Sequence, residues 1–422
     1  MLDVARLRRQ FPALNPEGGV RPPVFLDGPG GTQVPQPVID AMARYLATSN
    51  ANHGGSFAAS RASDAMVREA RAAVADLLNA PSPEEIVFGP NMTTLTFHLS
   101  RAIGRTLRPG DEIVVTRLDH DANVTPWVLA ARDAGAVIRY VDIHPEDCTI
   151  DLDDLRRQLG ARTRLVAVGC ASNAVGTLND VRLITHLAHG VGALVYLDAV
   201  HYVPHAPTDV QAWDCDFLAC SAYKFFGPHV GILWGKRALL EALPAYKVRP
   251  APDEIPDRWM TGTPNFEGIA GTGAAIEYLA EVGRMHPSSG AESSHTSTRR
   301  RDVHAGLASI RSYETDLGRQ LLEALTARPR FTVLGITDPD RLSERVPTIS
   351  ITMQDRPAAA IAAHLAARDI YTWAGNVYAL NLSERLGLEE RGGFLRMGVI
   401  HYNTIEEIDR VVVALDELQA GD

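Results

Sequence analysis

What this sequence has little of narrows its reading first. Four cysteines stand in 422 residues, at Cys148, Cys170, Cys215 and Cys220. That is too few for a disulfide framework, and no two of them form a CxxC pair, so a structural zinc site is not expected. No apolar run approaches the roughly 20 residues that span a bilayer. The N-terminal stretch MLDVARLRRQFPALNP is charged throughout and lacks the apolar core of a signal peptide. No membrane association and a cytoplasmic location are the expectations. A basic excess is missing too: 41 Lys and Arg stand against 51 Asp and Glu, a net charge of −10. A nucleic-acid binder normally carries a basic excess or stripe, so no nucleic-acid partner is expected. With 45% hydrophobic and 22% charged residues, the composition is that of a soluble globular chain.

The length exceeds what one core usually supports, which predicts a large domain and a smaller one. Short apolar runs recur at 85–89 (EIVFG), 112–116 (EIVVT), 137–141, 165–170, 193–197, 217–220 and 231–234. Amphipathic stretches at 65–78, 94–103, 126–134, 152–159 and 181–189 lie between several of them. Strands that are apolar throughout, alternating with helices, predict a buried, mostly parallel sheet covered on both faces. The stretch 283–301 is polar and reads as an exposed connection, with Arg299–Arg301 on a solvated face. Beyond it, a helix at 303–327, strands at 331–334, 348–353 and 394–400, and helices at 358–368 and 405–418 predict a compact α+β unit. The domains expected are 21–282 (large), and 1–20 with 283–422 (small). The first helix, 3–11, is expected on the small unit or on a partner subunit.

Ligands of open α/β sheets sit at the carboxyl ends of the strands. The polar residues there are informative as a set. Asn91, Met92 and Thr93 follow EIVFG; Asp119, His120 and Asn123 follow EIVVT; Ser172 and Asn173 follow LVAVGCA. Asp198, His201 and His205 follow ALVYL, and Ser221, Tyr223 and Lys224 follow FLAC. Together they match what pyridoxal 5'-phosphate requires. A lysine must condense with its aldehyde, and desolvation favours the neutral amine. A carboxylate must hold the pyridine nitrogen protonated so that the ring accepts electrons. A flat side chain stacks on the ring, a donor reaches its phenolic oxygen, and helix N–H groups with hydroxyls take the phosphate.

Seven segments in one order then identify a resemblance: 25–32 (FLDGPGGT), 119–127 (DHDANVTPW), 172–177 (SNAVGT), 198–205 (DAVHYVPH), 221–231 (SAYKFFGPHVG), 262–265 (GTPN) and 396–404 (RMGVIHYNT). The chain resembles class V aminotransferase-fold proteins of the cysteine desulfurase-like group, within fold type I pyridoxal phosphate enzymes. The resemblance implies a seven-stranded-type sheet, a homodimer with its active site at the subunit interface, and a small amino acid as substrate. It implies Lys224 as the Schiff-base lysine, Asp198 as the pyridinium partner and His120 as the stacking ring. Asn173 would lie near the phenolic oxygen. Thr93 and Ser221 would bind the phosphate, joined by Thr263 of the neighbouring subunit; Tyr223 keeps a donor for it, and Met92 would also contact the cofactor. Arg396 would clamp the substrate carboxylate.

The departures from the family pattern direct the functional expectation. His201 replaces a glutamine and can still donate to the phenolic oxygen. Tyr223 replaces a histidine. In the loop 372–379 (TWAGNVYA), where desulfurases of the family place a persulfide-forming cysteine, this chain has Asn376, Val377 and Tyr378, and no cysteine follows Cys220. Trp373 stands where the family often has a substrate-facing arginine. The expected activity is a desulfurase-like or C–S lyase reaction, a β-elimination without a persulfide. Isopenicillin-N-epimerase-like racemisation and transamination are the alternatives, and a non-catalytic pyridoxal phosphate-binding protein is the alternative of another class. Gly30, in the GPGG turn, is expected close to the substrate, and Asn376 beside it. His53 is as easily a packing residue as a substrate contact. His201 and His205, four apart, have no third ligand spaced to hold a metal.

Overall fold

The computed structural model describes residues 2–16, 18, 21–286 and 297–420. A seven-stranded sheet forms the larger unit. Its strands are β1 (Ile86–Gly89), β2 (Glu112–Thr116), β3 (Val137–Val141), β4 (Thr163–Gly169), β5 (Leu194–Asp198), β6 (Phe217–Ser221) and β7 (Gly231–Gly235), in the order β1-β7-β6-β5-β4-β2-β3. All neighbours are parallel except β7, which runs antiparallel to β1 and β6. The expected fold class, α/β with a large, mostly parallel sheet and a smaller α+β unit, is what the structure shows.

The continuous apolar strands have a simple cause. On β2, Ile113 and Val115 enter the core on one face and Val114 the core on the other; Leu165 and Ala167 of β4 alternate with Val166 and Val168 in the same way. Helices cover both faces, so both phases of the strand must be apolar. The helices used below are α1 (Val4–Arg8), α2 (Gln36–Thr48), α3 (Ala58–Leu78), α4 (Met92–Gly104), α5 (Thr125–Ala134), α6 (Phe266–Met285), α7 (Thr298–Thr326) and α8 (Ile405–Ala420). A four-stranded antiparallel sheet, β8 (Phe331–Leu334), β9 (Thr348–Met353), β10 (Trp373–Gly375) and β11 (Phe394–Gly398), forms the second layer system in the order β8-β9-β11-β10. Its core takes Leu317, Leu321 and Leu325 of α7 and Ile408, Val411 and Leu415 of α8.

Several local expectations need correction. The stretch 283–301 is not wholly a solvated connection: α6 runs to Met285 and α7 begins at Thr298, while residues 287–296 lie outside the described part. Arg300 is buried, not solvated. Its guanidinium donates to the carbonyls of Asp76, Leu77 and Thr208 at 2.9, 3.1 and 2.9 Å. It thereby satisfies carbonyls left open at the end of α3. Arg299 pairs with Asp76 at 2.7 Å and also with Glu69. Helix α3 starts at Ala58 rather than 65, because its first turns bury serines that do not read as apolar: Ser60 donates to Asn52 O and Ser63 to Ala51 O, at 2.7 and 2.8 Å. The first helix is only Val4–Arg8, with Leu7 buried and Phe11 just beyond it packed edge-on to Phe226, Tyr278 and Tyr402. No described helix is long and apolar enough to cross a membrane.

Candidate active site

Lys224 ends a short 3-10 turn that follows β6, and Asp198 is the last residue of β5. The carboxyl ends of β1, β2, β4, β5 and β6 therefore converge on one cleft. Met92, Thr93, His120, Asn173, Asp198, His201, Ser221, Tyr223 and Lys224 all line it. These nine come from segments spread over 130 positions of sequence, yet strand polarity brings them together.

Burial sets the protonation of the cleft. Lys224 is pulled down to about 7, first by desolvation and then by the Arg396 charge, against the opposing pull of Asp198 and Asp27. Its ammonium nitrogen donates to the Pro29 carbonyl. Asp198 is pushed up to about 6 by burial, moderated by the Val200 N–H, which it accepts at 2.9 Å, and by Lys224. His120 falls to about 4 through burial and the nearby charges of Lys224 and Arg396. Its Nδ1 accepts the Ala122 N–H at 3.0 Å, so the neutral ring carries its proton on Nε2. At the start of α4, Asn91 caps the helix by accepting from Thr94 at 2.9 Å, and the Met92 N–H donates to Ser221 Oγ at 3.1 Å. A helix N-terminus and a hydroxyl thus meet at one edge of the cleft, an arrangement suited to an anion.

The four-stranded sheet supplies the opposite wall. Arg396, in β11, is buried and donates from Nη1 to the Asn173 carbonyl at 2.9 Å. Burial pulls it down to about 10, and the nearby Asp27 opposes this. The loop from Asn173 to Leu178 is read by this wall residue by residue. Ser350 Oγ donates to Ala174 O at 2.5 Å, Arg345 Nη2 to Val175 O at 3.2 Å, and Val346 N to Gly176 O at 2.8 Å; the Leu178 N–H donates to Glu344 O at 2.9 Å. Gly176 is required here: a Cβ would lie 2.6 Å from the carbonyl oxygens of both Val346 and Thr348, at φ +80°. Segment 25–32 passes between the two walls, pinned by a bridge from Asp27 to Gly398 and by Thr32 N donating to Tyr223 O at 3.0 Å.

The rim is the loop after β10. The Asn173 side chain donates to Val377 O at 2.8 Å and the Asp121 N–H to Tyr378 O at 2.7 Å. The Tyr378 ring stacks on His120, centroids 5.3 Å apart and planes 17° apart. Val377 and Tyr378 both have positive φ, +47° and +63°. For a β-branched residue this is a strained backbone, of order 1–3 kcal/mol. Asn376 does not line the cleft; its side chain donates to Glu389 at 2.9 Å and accepts from Tyr378 N at 3.1 Å. Gly30 lies under Trp373, whose Nε1 would be 2.5 Å from a Cβ placed there.

Besides Asn376, His53 and Thr263 do not line this cleft, Thr263 having been expected to serve the neighbouring subunit's site. His53 is exposed and borders a hollow with Arg68, Arg71 and Phe266. Thr263 borders another hollow with Thr94, His98 and Trp259. His201 and His205 do not form a metal pair: His201 Nε2 meets Thr348 Oγ1 at 2.8 Å and His205 Nδ1 meets Glu314 at 2.6 Å. Among the described residues no cluster of three potential ligands exists. Two acidic residues acquire weight that sequence reasoning did not give them. Asp119 lines the cleft and is pushed up to about 7, by burial and then by the like charge of Asp198, against the Thr116 hydroxyl that it accepts at 2.5 Å. Asp27 is also raised by burial, and its Oδ1 is buried without a partner. The signal for Asp119 was its place directly before His120; that for Asp27, its place directly before the GPGG turn.

Comparison with known proteins agrees with this geometry. Residues 24–300 and 303–411 match the family model for aminotransferase class V. A cysteine desulfurase of Pectobacterium atrosepticum is 32% identical over 98% of both chains. The aminotransferase-like protein FGM3 of Gibberella zeae is 32% identical, again over 98% of both. Among solved structures, the apo cysteine desulfurase of Thermococcus onnurineus superposes with a TM-score of 0.87 at 25% identity, covering 100% of this chain and 99% of that one. Escherichia coli CsdA, a cysteine desulfurase, superposes at 0.83 with 28% identity. The chain belongs to the class V aminotransferase family, a family of pyridoxal phosphate-dependent enzymes.

Proposed function

We propose that this chain holds pyridoxal 5'-phosphate on Lys224 and carries out β-elimination on a small amino acid, a C–S lyase reaction without a persulfide. The cleft fits the cofactor: Asn173 Oδ1 and Arg396 Nε are buried without partners there, and the N-terminus of α4 with Ser221 offers an anion site. When bound, pyridoxal phosphate supplies an aldehyde and an electron-withdrawing ring. Lys224, half neutral near pH 7, can condense with the aldehyde and afterwards take a proton from the substrate Cα. Asp198 faces the cleft as a carboxylate that can hold a ring N–H. His120, neutral and flat, can stack on the ring. Arg396 offers a two-pronged fork to the substrate carboxylate, with the Gly30 turn beside it.

The observation that carries elimination over persulfide transfer concerns the thiols. All four cysteines are buried, none borders the cleft, and burial raises every one of them, Cys148 to about 11 and the rest further. Thiols so placed are protonated and out of reach, whereas sulfur transfer needs a mobile thiolate. Elimination from cysteine yields pyruvate, ammonia and sulfide; desulfuration yields alanine. Incubation with cysteine should give pyruvate and no stoichiometric alanine. Stoichiometric alanine that vanishes when all four cysteines are replaced by serine or alanine would overturn this reading. Arg396, buried with an unpartnered Nε, argues against a mere cofactor-binding role, since holding the cofactor alone needs no carboxylate clamp. In a homodimer, Thr263, exposed and away from the cleft of its own chain, would serve the neighbouring site.

A further inference from the structure

Behind the cleft runs a chain of buried polar side chains that the proposed chemistry does not use. Glu314, on α7, is 1% exposed, and both carboxylate oxygens are occupied. Oε2 lies 2.6 Å from His205 Nδ1, and Oε1 accepts the His401 N–H at 2.8 Å. His401 Nε2 in turn lies 2.6 Å from the Tyr278 hydroxyl. The rings of His205 and His201 meet edge to face, centroids 5.4 Å apart and planes at 73°. His201 lines the cleft with Lys224 and Asp198. Burial drives His201 far below the usual histidine range, helped by the charges of His205, Lys224 and Arg396, so its ring is neutral.

A carboxylate this deep is strongly unfavourable unless paired, and apolar side chains would fill the same volume without that demand. What the pair adds is direction. A carboxylate on Nδ1 fixes the rotation of the His205 ring. An edge-to-face contact then fixes the plane of the next ring. His201 is thus held from two sides, by His205 and by Thr348 Oγ1.

We propose that Glu314 is a positioning residue: acting through His205, it sets the plane in which His201 presents its ring to the cleft. The proposal rests on the proposed function only in placing pyridoxal phosphate in this cleft, and takes His201, which lines it, as one of its contacts.

The test is a cycle of Glu314→Gln, His201→Gln and the double variant, each purified as holoenzyme. The readouts are the dissociation of pyridoxal phosphate, the absorption maximum of the bound cofactor and the thermal midpoint. Glu314→Gln alone should speed cofactor loss about threefold or more and shift the absorption maximum. In the His201→Gln background the same substitution should change neither, because the ring it acts on is gone. Equal effects in the two backgrounds would mean a structural role only and would overturn the proposal. Should Glu314→Gln fail to fold, the wild-type protein decides. The downfield proton signal of the His205–Glu314 hydrogen bond should move as pyridoxal phosphate is added to apoprotein, and an unmoved signal at full occupancy would refute the link. None of these readouts requires turnover, so failure of the elimination reading would leave them intact.

Discussion

The floor and the rim of the cleft are built by opposite means. Floor residues such as Asp198, Ser221 and Lys224 stand at or just beyond strands hydrogen-bonded to neighbours in the large sheet. The rim, 376–378, is a turn with two adjacent side-chain-bearing residues at positive φ, held by contacts from His120, Asn173 and Asp121. A floor set by sheet register tolerates little change, and the proposed function puts the cofactor chemistry there. A rim held by a few contacts can exchange its side chains without disturbing that chemistry. On the proposed function, cofactor chemistry falls to floor residues Lys224 and Asp198, while Tyr378 and Trp373 stand at or beside the rim.

Breaking the floor should have the largest effect. Lys224→Ala is expected to abolish turnover and all borohydride-fixable attachment of the cofactor; a labelled lysine elsewhere in a peptide map would refute the assignment. Asp198→Asn should retain cofactor but lose about 10²–10³-fold in turnover, since an amide cannot hold a ring N–H by charge. Steady-state rates near wild type would sink that role. Arg396→Lys should weaken substrate binding about tenfold or more with little change in cofactor affinity, because an ammonium lacks the guanidinium fork. Equal wild-type affinity for amino acids and their decarboxylated amines would count against it.

Two smaller effects sharpen the contrast. Lys224 is lowered to about 7, so its reactive neutral form grows as pH rises through that value. Cofactor incorporation into apoprotein should fall about tenfold per pH unit below about 7 and level off above it; stopped-flow traces with a midpoint near 10 would contradict the desolvation argument. Beside the rim, Gly30→Ala would push the Trp373 side chain, 2.5 Å from the new Cβ, and crowd the Asp27 carbonyl at 3.0 Å. It should change KM a few-fold and leave cofactor affinity unaltered, as an equilibrium titration would reveal.

The same contrast explains what could be read from sequence. The strands of the large sheet and their terminal polar residues were legible because burial on both faces forces unbroken apolar runs, and the residue after each run must face the ligand. Helix α6 was not, since its Gly and Ala residues suit close helix packing but read as breaks in periodicity. Arg300 looked solvated because its acceptors are main-chain carbonyls some 90 to 220 positions away, which carry no sequence signal. Asp119 and Asp27 gain their weight from burial in the folded chain, which no local spacing announces.

The loop from Asn173 to Leu178 bears on how such a protein can be recombined. Chain continuity assigns it to the large sheet, yet its carbonyls at Asn173, Ala174, Val175 and Gly176 are each met by a donor from the other wall. The piece that could be exchanged between relatives as one block is therefore not the stretch of sequence around β8–β11 alone. It is that stretch together with a hexapeptide lying more than 150 residues upstream, which must travel with it for Asn173 to keep its station over the cleft.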